Sequence, residues 1–573
     1  MKIFKVEISK FRSIDKGEFH LSQLNAIVGQ NNSGKSGVMR ALNSFFNPKN
    51  EIEYYKDGTN LYSSTNTVPR ITIVFTNVQQ DSILSKYVQN GYLSIKHEYN
   101  KKRKRLDYSV FDTNKKYRAL TEDELDQLHQ GIQFVLIPSE RGSMHNLRNE
   151  TGVLRQLFDT FFTSHTAKRD TLTPKVKSAF NYFKDNALNK VAQGIEGKYL
   201  AKRGFKINID SQFPLSYDLF VNDLIIKISE GDRDFSLEEC GSGIQSLVAI
   251  SVYKYLAELN HSNFIIGIEE PEVNLHPQAQ KELIHSLLDE INENDVQIIF
   301  TTHSTVIIDQ LDHSDIILVR KVTDPKRKFK TKIKQLSSTF WNDYSLDELK
   351  YNKFHRFRNS EFFFANHILV TESDTDSEVF RELLDRNKIN IEKSGISVLE
   401  LGGITSLKYA FYLIRDLELE KTFVIDKDFF FPYSNNKKVD SRDGRGFFKY
   451  GKTFKSNQLI NELFDNESKR SIIEDYLANN HTKSLQLTPD FDVICMKYNL
   501  EMDLLATSNS QNVVYNYLNV QPEQRNTAYL FLNKEDALKE VSLLLHVIQN
   551  STRQNLPYSY RYIIKRFEKY ANK

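Results

Sequence analysis

The eight residues Gly29 to Ser36 (GQNNSGKS) constrain this chain more than any other stretch. They satisfy G-x-x-x-x-G-K-[ST] at every fixed position, behind the apolar run Leu24-Asn25-Ala26-Ile27-Val28 and ahead of a helical pattern from Gly37 to Phe46. That strand, loop and helix context is the one the motif requires. Small residues let consecutive backbone N–H groups turn inward around a polyphosphate, and the helix N-terminus adds partial positive charge. Gly29, Asn31, Asn32 and Gly34 are therefore the expected cradle, Lys35 the cation for the β- and γ-phosphates, and Ser36 the hydroxyl that ligates Mg²⁺. ATP is the cofactor this predicts.

At 573 residues the chain exceeds the length of roughly 250 to 300 at which single cores stop growing, so several domains are expected. A net charge of +3 is too small to argue for a nucleic-acid partner, and any such case must rest on local clusters. Only Cys240 and Cys495 are present, which excludes a four-cysteine zinc ribbon and a disulfide framework and fits a reducing compartment. The first residues, MKIFKVEISKFRS, contain no apolar signal-peptide core. No run approaches the roughly 18 apolar residues of a transmembrane helix, so a cytoplasmic protein without a membrane partner is expected.

Alternation predicts strands within residues 1–28, at Arg70 to Val78, Leu93 to Glu98 and Gln133 to Ile137, with the basic run Lys101 to Arg105 as a hairpin tip. From about 151 to 204 the pattern turns helical: Leu154, Leu157, Phe158, Phe161 and Phe162 form a stripe. A second helix is expected to start at Thr173-Pro174, with Val176, Phe180 and Phe183 on one face. This insertion is either a dimerisation element or a hairpin packed on its parent domain. Strands resume near Phe205 and at Leu219 to Ile228, and three motifs follow. Glu239 to Leu247 sets Gly241, Ser242 and Gly243 at the start of a helix. Phe264 to Glu272 is an apolar strand ending in Glu269 and Glu270, and Gln297 to Ser304 is a strand ending in His303.

Behind a P-loop, this order resembles the ATPase heads of the ABC class. Phe11-Arg12-Ser13, Glu269-Glu270-Pro271-Glu272 and Leu275-His276-Pro277 point to the recombination and chromosome-maintenance branch. The resemblance implies that Glu269 supports Mg²⁺, Glu270 polarises the attacking water and His303 senses the γ-phosphate. It also implies that Gly241, Ser242 and Gly243 face a nucleotide held by another head, so that the working unit is at least a homodimer. Many relatives carry Asp where Glu269 stands, and the longer side chain implies slow turnover. Gln79 or Gln80 is the implied lid glutamine.

The ATPase pattern ends near residue 345, after the basic stretch Lys326 to Lys334 (KRKFKTKIK). A strand at His367 to Thr371 then leads into Glu372, a helix spans Asp376 to Asn387, a strand at Ile396 to Leu401 reaches Gly402-Gly403, a helix runs from Thr405 to about Leu417, and a strand at Thr422 to Ile425 leads into Asp426-Lys427-Asp428. Such a βαβαβ pattern predicts a parallel sheet with its acids gathered at the strand ends. Glu372, Asp376, Asp426 and Asp428 would then converge, and oxygen-only ligands favour Mg²⁺ or Mn²⁺.

This half resembles the Toprim fold, with Glu372 as the leading acid and Asp426 and Asp428 as the paired acids. Ser373 stands where the family usually has glycine. An ABC-type head with a helical insertion (1–345) followed by a Toprim α/β domain with a C-terminal helical part (346–573) is the layout of the OLD family. That family includes phage-defence nucleases of Gabija-like and retron systems. The resemblance implies an ATP-regulated, divalent-metal-dependent DNA endonuclease or nickase, with a reverse transcriptase and its nucleic acid, or a helicase, as the possible defence partner. It adds Glu501, in Leu500-Glu501-Met502-Asp503-Leu504, as a metal ligand and Lys534 as a catalytic lysine. Some relatives have an acid where this chain has Asn499. The alternatives are an ATP-dependent DNA clamp or repair ATPase, and a defence scaffold, each with a non-catalytic Toprim domain. Gly446 to Thr453 also fits the P-loop expression, but its aromatic residues and missing strand argue against a phosphate nest. With Lys437, Lys438, Arg442, Arg445, Lys449, Lys452 and Lys455, it reads as a flexible basic segment that either holds a DNA backbone or is simply solvated.

Overall fold

The computed structural model describes residues 1–62, 67–137, 153–193, 226–347 (apart from 231–232, 274, 295, 325–327 and most of 241–262) and 360–571 apart from 436. It divides into two compact units: Met1–Ile307 with Asp315–Ile333, and Ile308–Ser314 with Lys334–Lys573.

The first unit is built on a sheet of twelve described strands. Its antiparallel part comprises β1 (Lys2–Phe11), β2 (Ile14–His20), β4 (Arg70–Thr76), β5 (Leu93–Asn100), β6 (Arg105–Phe111) and β7 (Tyr117–Ala119). Alternation is the cause: Ile71, Ile73 and Phe75 of β4 are buried while Arg70, Thr72 and Val74 are not, as a sheet with one covered face demands. The parallel part runs β13 (Ile316–Asp324), β3 (Leu24–Val28), β12 (Gln297–Thr302), β11 (Asn263–Glu269) and β8 (Ile132–Ile137). Here β3 and β12 are buried at every position, the signature of strands covered on both faces. β14 (Lys328–Lys334) adds parallel to β2, with Thr331 opposite Ile14. A separate hairpin joins β9 (Lys227–Glu230) to β10 (Arg233–Ser236). The P-loop helix, Lys35–Phe46, buries Val38, Met39, Ala41, Leu42 and Phe45 in the same core.

Helices also occupy the start of the insertion, Val153–Ser164 and Thr166–Phe183. The expected helix start at Thr173-Pro174 is wrong: Pro174 lies inside the second helix. Thr173 does not act as an N-cap. Its hydroxyl donates back to the Arg169 carbonyl at 3.0 Å, within the turn that proline would otherwise interrupt. On the face read from sequence, Val176 is buried whereas Phe183 is exposed.

The second unit holds a four-stranded parallel sheet in the order β16 (Ile396–Glu400), β15 (His367–Thr371), β17 (Lys421–Ile425), β18 (Val493–Cys495). The first three are the expected strands; β18 is a three-residue strand that no alternation over so short a run could mark. Helix Asp374–Arg386 buries Val379, Phe380, Leu383 and Leu384, and the C-terminal helix Tyr558–Ala571 adds Tyr560, Ile563, Ile564 and Phe567 to the same core. The basic segment around Gly446 is not a free loop. Phe447 and Phe448 are core residues, Ser441 is fully buried, and the Arg442 guanidinium lies 4.4 Å from the Phe448 ring and pairs with Glu535 at 3.0 Å. The aromatics that disqualify this stretch as a phosphate nest are what anchor it.

Candidate functional site

The P-loop leaves β3 through Gly29 and enters its helix through Gly34, which has φ +113°. A side chain at Gly34 would meet the Thr331 hydroxyl at 2.5 Å, so conformation and space both require glycine. Lys35 is only 7% exposed, and its ammonium donates to the carbonyls of Gly29 (2.8 Å) and Gln30 (3.1 Å). Burial lowers its pKa to about 8, against the opposing pull of Glu270 and Glu272. A cavity of about 880 Å³ opens here, and Asn31, Asn32, Gly34, Lys35, Ser36, Glu270 and His303 all line it.

Glu270 follows β11 in a left-handed conformation (φ 47°), held by its N–H donating to the carbonyl (3.0 Å) and hydroxyl (3.1 Å) of Thr301. That turn sets its carboxylate 3.6 Å from Nε2 of His303. Burial, then Lys35, pushes the His303 pKa below the usual histidine value. Glu272 completes the corner: its carboxylate accepts the His303 backbone N–H at 2.7 Å. Glu269 is not among the residues that line this cavity, and its charge acts on Arg40 of the P-loop helix. Gly241, Ser242 and Gly243 lie outside the described residues, and Gln79 and Gln80 are exposed. Sequence reasoning assigned no role to Glu272, nor to Lys321 and Phe329, which also line the cavity.

In the second unit β15 and β17 pair directly and run parallel, with Val370 opposite Phe423, so Glu372 and Asp426 leave the same edge of the sheet. Asp376 sits in the first turn of helix Asp374–Arg386, where its Oδ2 accepts from both the N–H and hydroxyl of Ser373, each at 2.8 Å. Ser373 has φ −133°, ordinary extended backbone, and its hydroxyl accepts the Asp376 N–H. A serine in the usual glycine position therefore costs no strain and supplies a capping box. Gly402 and Gly403 absorb the left-handed turn instead, at φ 66° and 117°. Glu501 opens the short helix Leu500–Leu504 and accepts from the Asn499 side chain at 2.7 Å. Asp428 accepts from the Tyr433 hydroxyl at 3.0 Å, and the Lys455 ammonium donates to its backbone carbonyl.

These acids feel one another. Glu372 is raised to about 7, first by burial and then by Asp428 and Asp376. Asp426 is raised well above the carboxylate range by burial, with Asp376, Glu372, Asp428 and Glu501 all adding to the shift. Burial also raises Asp376 and Glu501. The lysine whose charge opposes the rise at both Glu372 and Glu501 is Lys438 of the basic segment. Lys534 lies at the junction of helices Thr527–Asn533 and Glu535–Leu538. Asp503 has a different part: fully buried, it accepts from Lys497 N–H (2.9 Å), Tyr498 N–H (2.8 Å) and the Ser559 hydroxyl (2.7 Å). Among the described residues no three His, Cys, Asp or Glu side chains close to ligand spacing around one point. The donor set is nonetheless all oxygen, crowded and short of positive charge. That suits a hard divalent cation that keeps several of its own waters.

Family comparison agrees with both halves. Residues 1–151 and 108–308 match the AAA ATPase domain model, and residues 363–428 match the Overcoming lysogenization defect protein-like TOPRIM domain. An OLD nuclease of Thermus scotoductus is 25% identical over 452 residues, covering 74% of this chain and 81% of that protein. Endonuclease GajA of Bacillus cereus is 23% identical over 466 residues, covering 75% of each. Among solved structures, an SMC head bound to the C-terminal winged-helix domain of ScpA aligns at TM-score 0.39 and 18% identity, over 59% of this chain and 98% of that one. Among the described residues no helix is long and apolar enough to cross a membrane. With a P-loop ATPase unit followed by a parallel sheet that collects acids at one edge, the chain belongs to the OLD family, an AAA-type ATPase joined to an OLD-like Toprim domain.

Proposed function

We propose that this chain is an ATP-regulated, divalent-metal-dependent DNA endonuclease or nickase acting in anti-phage defence. Residues 1–345 form its ATPase half and 346–573 its nuclease half. The observation that carries the reading is the gathering of Glu372 and Asp426 at one edge of a parallel sheet, with Asp376, Asp428 and Glu501 close enough to act on Asp426. Nuclease activity in the OLD and GajA relatives supports the same chemistry here.

Glu372, Asp426, Asp428 and Glu501 would hold Mg²⁺ or Mn²⁺, with Asp376 beside them. When bound, such ions activate water and stabilise the leaving oxygen of a phosphodiester. The chain's own groups prepare that step. Tyr433 fixes the Asp428 carboxylate, Asn499 fixes Glu501, and Lys438 brings positive charge to a DNA phosphate entering beside the acids; Lys534 is the second candidate for that charge. In the ATPase half, Lys35 and Ser36 serve ATP and its Mg²⁺, Glu270 polarises water, and His303 reads the γ-phosphate through its 3.6 Å approach to Glu270. Gly241, Ser242 and Gly243 act on the nucleotide of a second copy, and the insertion at about 151–204 helps pair the copies.

Supercoiled plasmid incubated with the full-length protein and Mg²⁺ or Mn²⁺ tests the reading. Wild type is expected to nick or linearise it and Asp426→Ala/Asp428→Ala to leave it intact. Equal cutting by the double variant overturns the assignment, and ATP-dependent DNA retention that survives the double variant without any cutting favours a clamp.

A further inference from the structure

We propose that Phe329, with Lys321 beside it, is the base-binding platform of the nucleotide cavity; this rests on the reading of that cavity as the ATP site. The motif residues account for the phosphate end only. Asn31, Asn32, Lys35, Ser36, Glu270 and His303 are polar or charged, Gly34 has no side chain, and none offers a flat apolar surface to a purine. Among the described residues lining the cavity, Phe329 is the one apolar aromatic ring, the other ring being the polar His303 imidazole that faces Glu270.

Its position is fixed by the P-loop itself. Thr331 donates its hydroxyl to the Ser33 carbonyl at 2.7 Å, lies 2.7 Å from the Ser13 hydroxyl, and pairs its N–H with the Ser13 carbonyl at 2.8 Å. Phe329 precedes Thr331 by two residues on β14, so both side chains leave the same face of the strand. Thr331 rests on the loop, and Phe329 is carried to the cavity wall. Phe329 is 38% exposed even with Lys321 over its ring, an apolar surface beside a polar cavity that a stacked base would shield. Lys321, on β13, holds its ammonium 4.1 Å from the ring centroid, where it can meet the ring nitrogens of the base or the α-phosphate. The alternative planar group, the Arg12 guanidinium, is already committed through Nε to Asn60 at 2.7 Å. Lodged within KRKFKTKIK, Phe329 thus gives a purpose to a stretch that sequence alone marks only as the end of a domain.

The test compares binding of ATP and of inorganic tripolyphosphate to full-length protein by calorimetry, for wild type, Phe329→Ala and Phe329→Trp. Because aromatic stacking contributes strongly to base binding, Phe329→Ala is expected to weaken ATP roughly tenfold while leaving tripolyphosphate unchanged. Phe329→Trp should keep wild-type ATP affinity. Unchanged ATP affinity in Phe329→Ala overturns the platform while Lys35-dependent ATP binding by wild type still upholds the nucleotide site. Equal weakening of ATP and tripolyphosphate also overturns it, since the ring would then only support the loop. If wild type binds neither, the nucleotide site itself falls.

Discussion

A carboxyl placed at a strand end beside other carboxyls cannot behave as a surface acid, and Glu372 shows the consequence. Its pKa of about 7 lies above the unfolded value near 4.5. Between those two values the metal-free folded state keeps a proton that the unfolded state has lost. Stability therefore falls as pH rises through that window and levels off above it. Asp376, Asp426 and Glu501 are shifted in the same direction and add to the slope. Thermal melts in EDTA from pH 5 to 8 should show a falling midpoint for wild type and a shallower fall for Glu372→Gln. Mg²⁺ or Mn²⁺ should raise the midpoint more at pH 8 than at pH 5, because ions and protons compete for the same oxygens. A wild-type midpoint flat in EDTA and unmoved by either ion would remove the case for a shared cation. At this scale the sequence was most legible where chemistry dictates residue type: Lys35, Ser36, Glu270 and His303 line one cavity, and Glu372, Asp376, Asp426, Asp428 and Glu501 share one electrostatic neighbourhood. It was silent where a common residue gains a role from its surroundings. Tyr433 and Glu272 act through hydrogen bonds that only the folded chain creates.

Elements place such residues by parity and by length. Helix Leu500–Leu504 holds two acids two positions apart, and their fates diverge. Glu501 belongs to the acidic edge, whereas Asp503 turns inward to three donors and ties the helix to Ser559 of the C-terminal helix. Asp503→Ala leaves buried donors unsatisfied, a loss of about 3 kcal/mol or more. Glu501→Gln keeps the Asn499 contact and is expected to change stability by less than about 1 kcal/mol while abolishing metal-dependent cutting. Urea unfolding and plasmid cleavage of the two variants separate these roles; a stable, inactive Asp503→Ala would reverse the assignment. The long strands and the βαβ order were readable because alternation and buried runs are statistical signals that need length. β18 has three residues, and the true start of helix Thr166–Phe183 was hidden by Pro174, whose usual first-turn position is overridden by the turn already formed before it.

For the whole molecule the two units carry separable chemistry, a nucleotide cavity in one and an acidic edge in the other. Lys35→Ala should remove the response to ATP and leave the pH-dependent stabilisation by Mg²⁺ or Mn²⁺. Asp428→Asn should hydrolyse ATP normally and fail to cut. A stricter expectation follows from the glycine and serine signature at Gly241, Ser242 and Gly243. If it completes a nucleotide site on a second copy, every site draws on two chains, and Lys35→Ala and Ser242→Arg are each inactive for a different reason. In an equimolar mixture half of the dimers are mixed, and each mixed dimer has one site with both Lys35 and Ser242 intact. Such a mixture should recover roughly a quarter of wild-type ATP turnover, the fraction that random pairing across a two-fold interface allows. A mixture no more active than either variant alone would mean that each cavity works with its own chain, and that ATP acts in this protein without bringing two heads together.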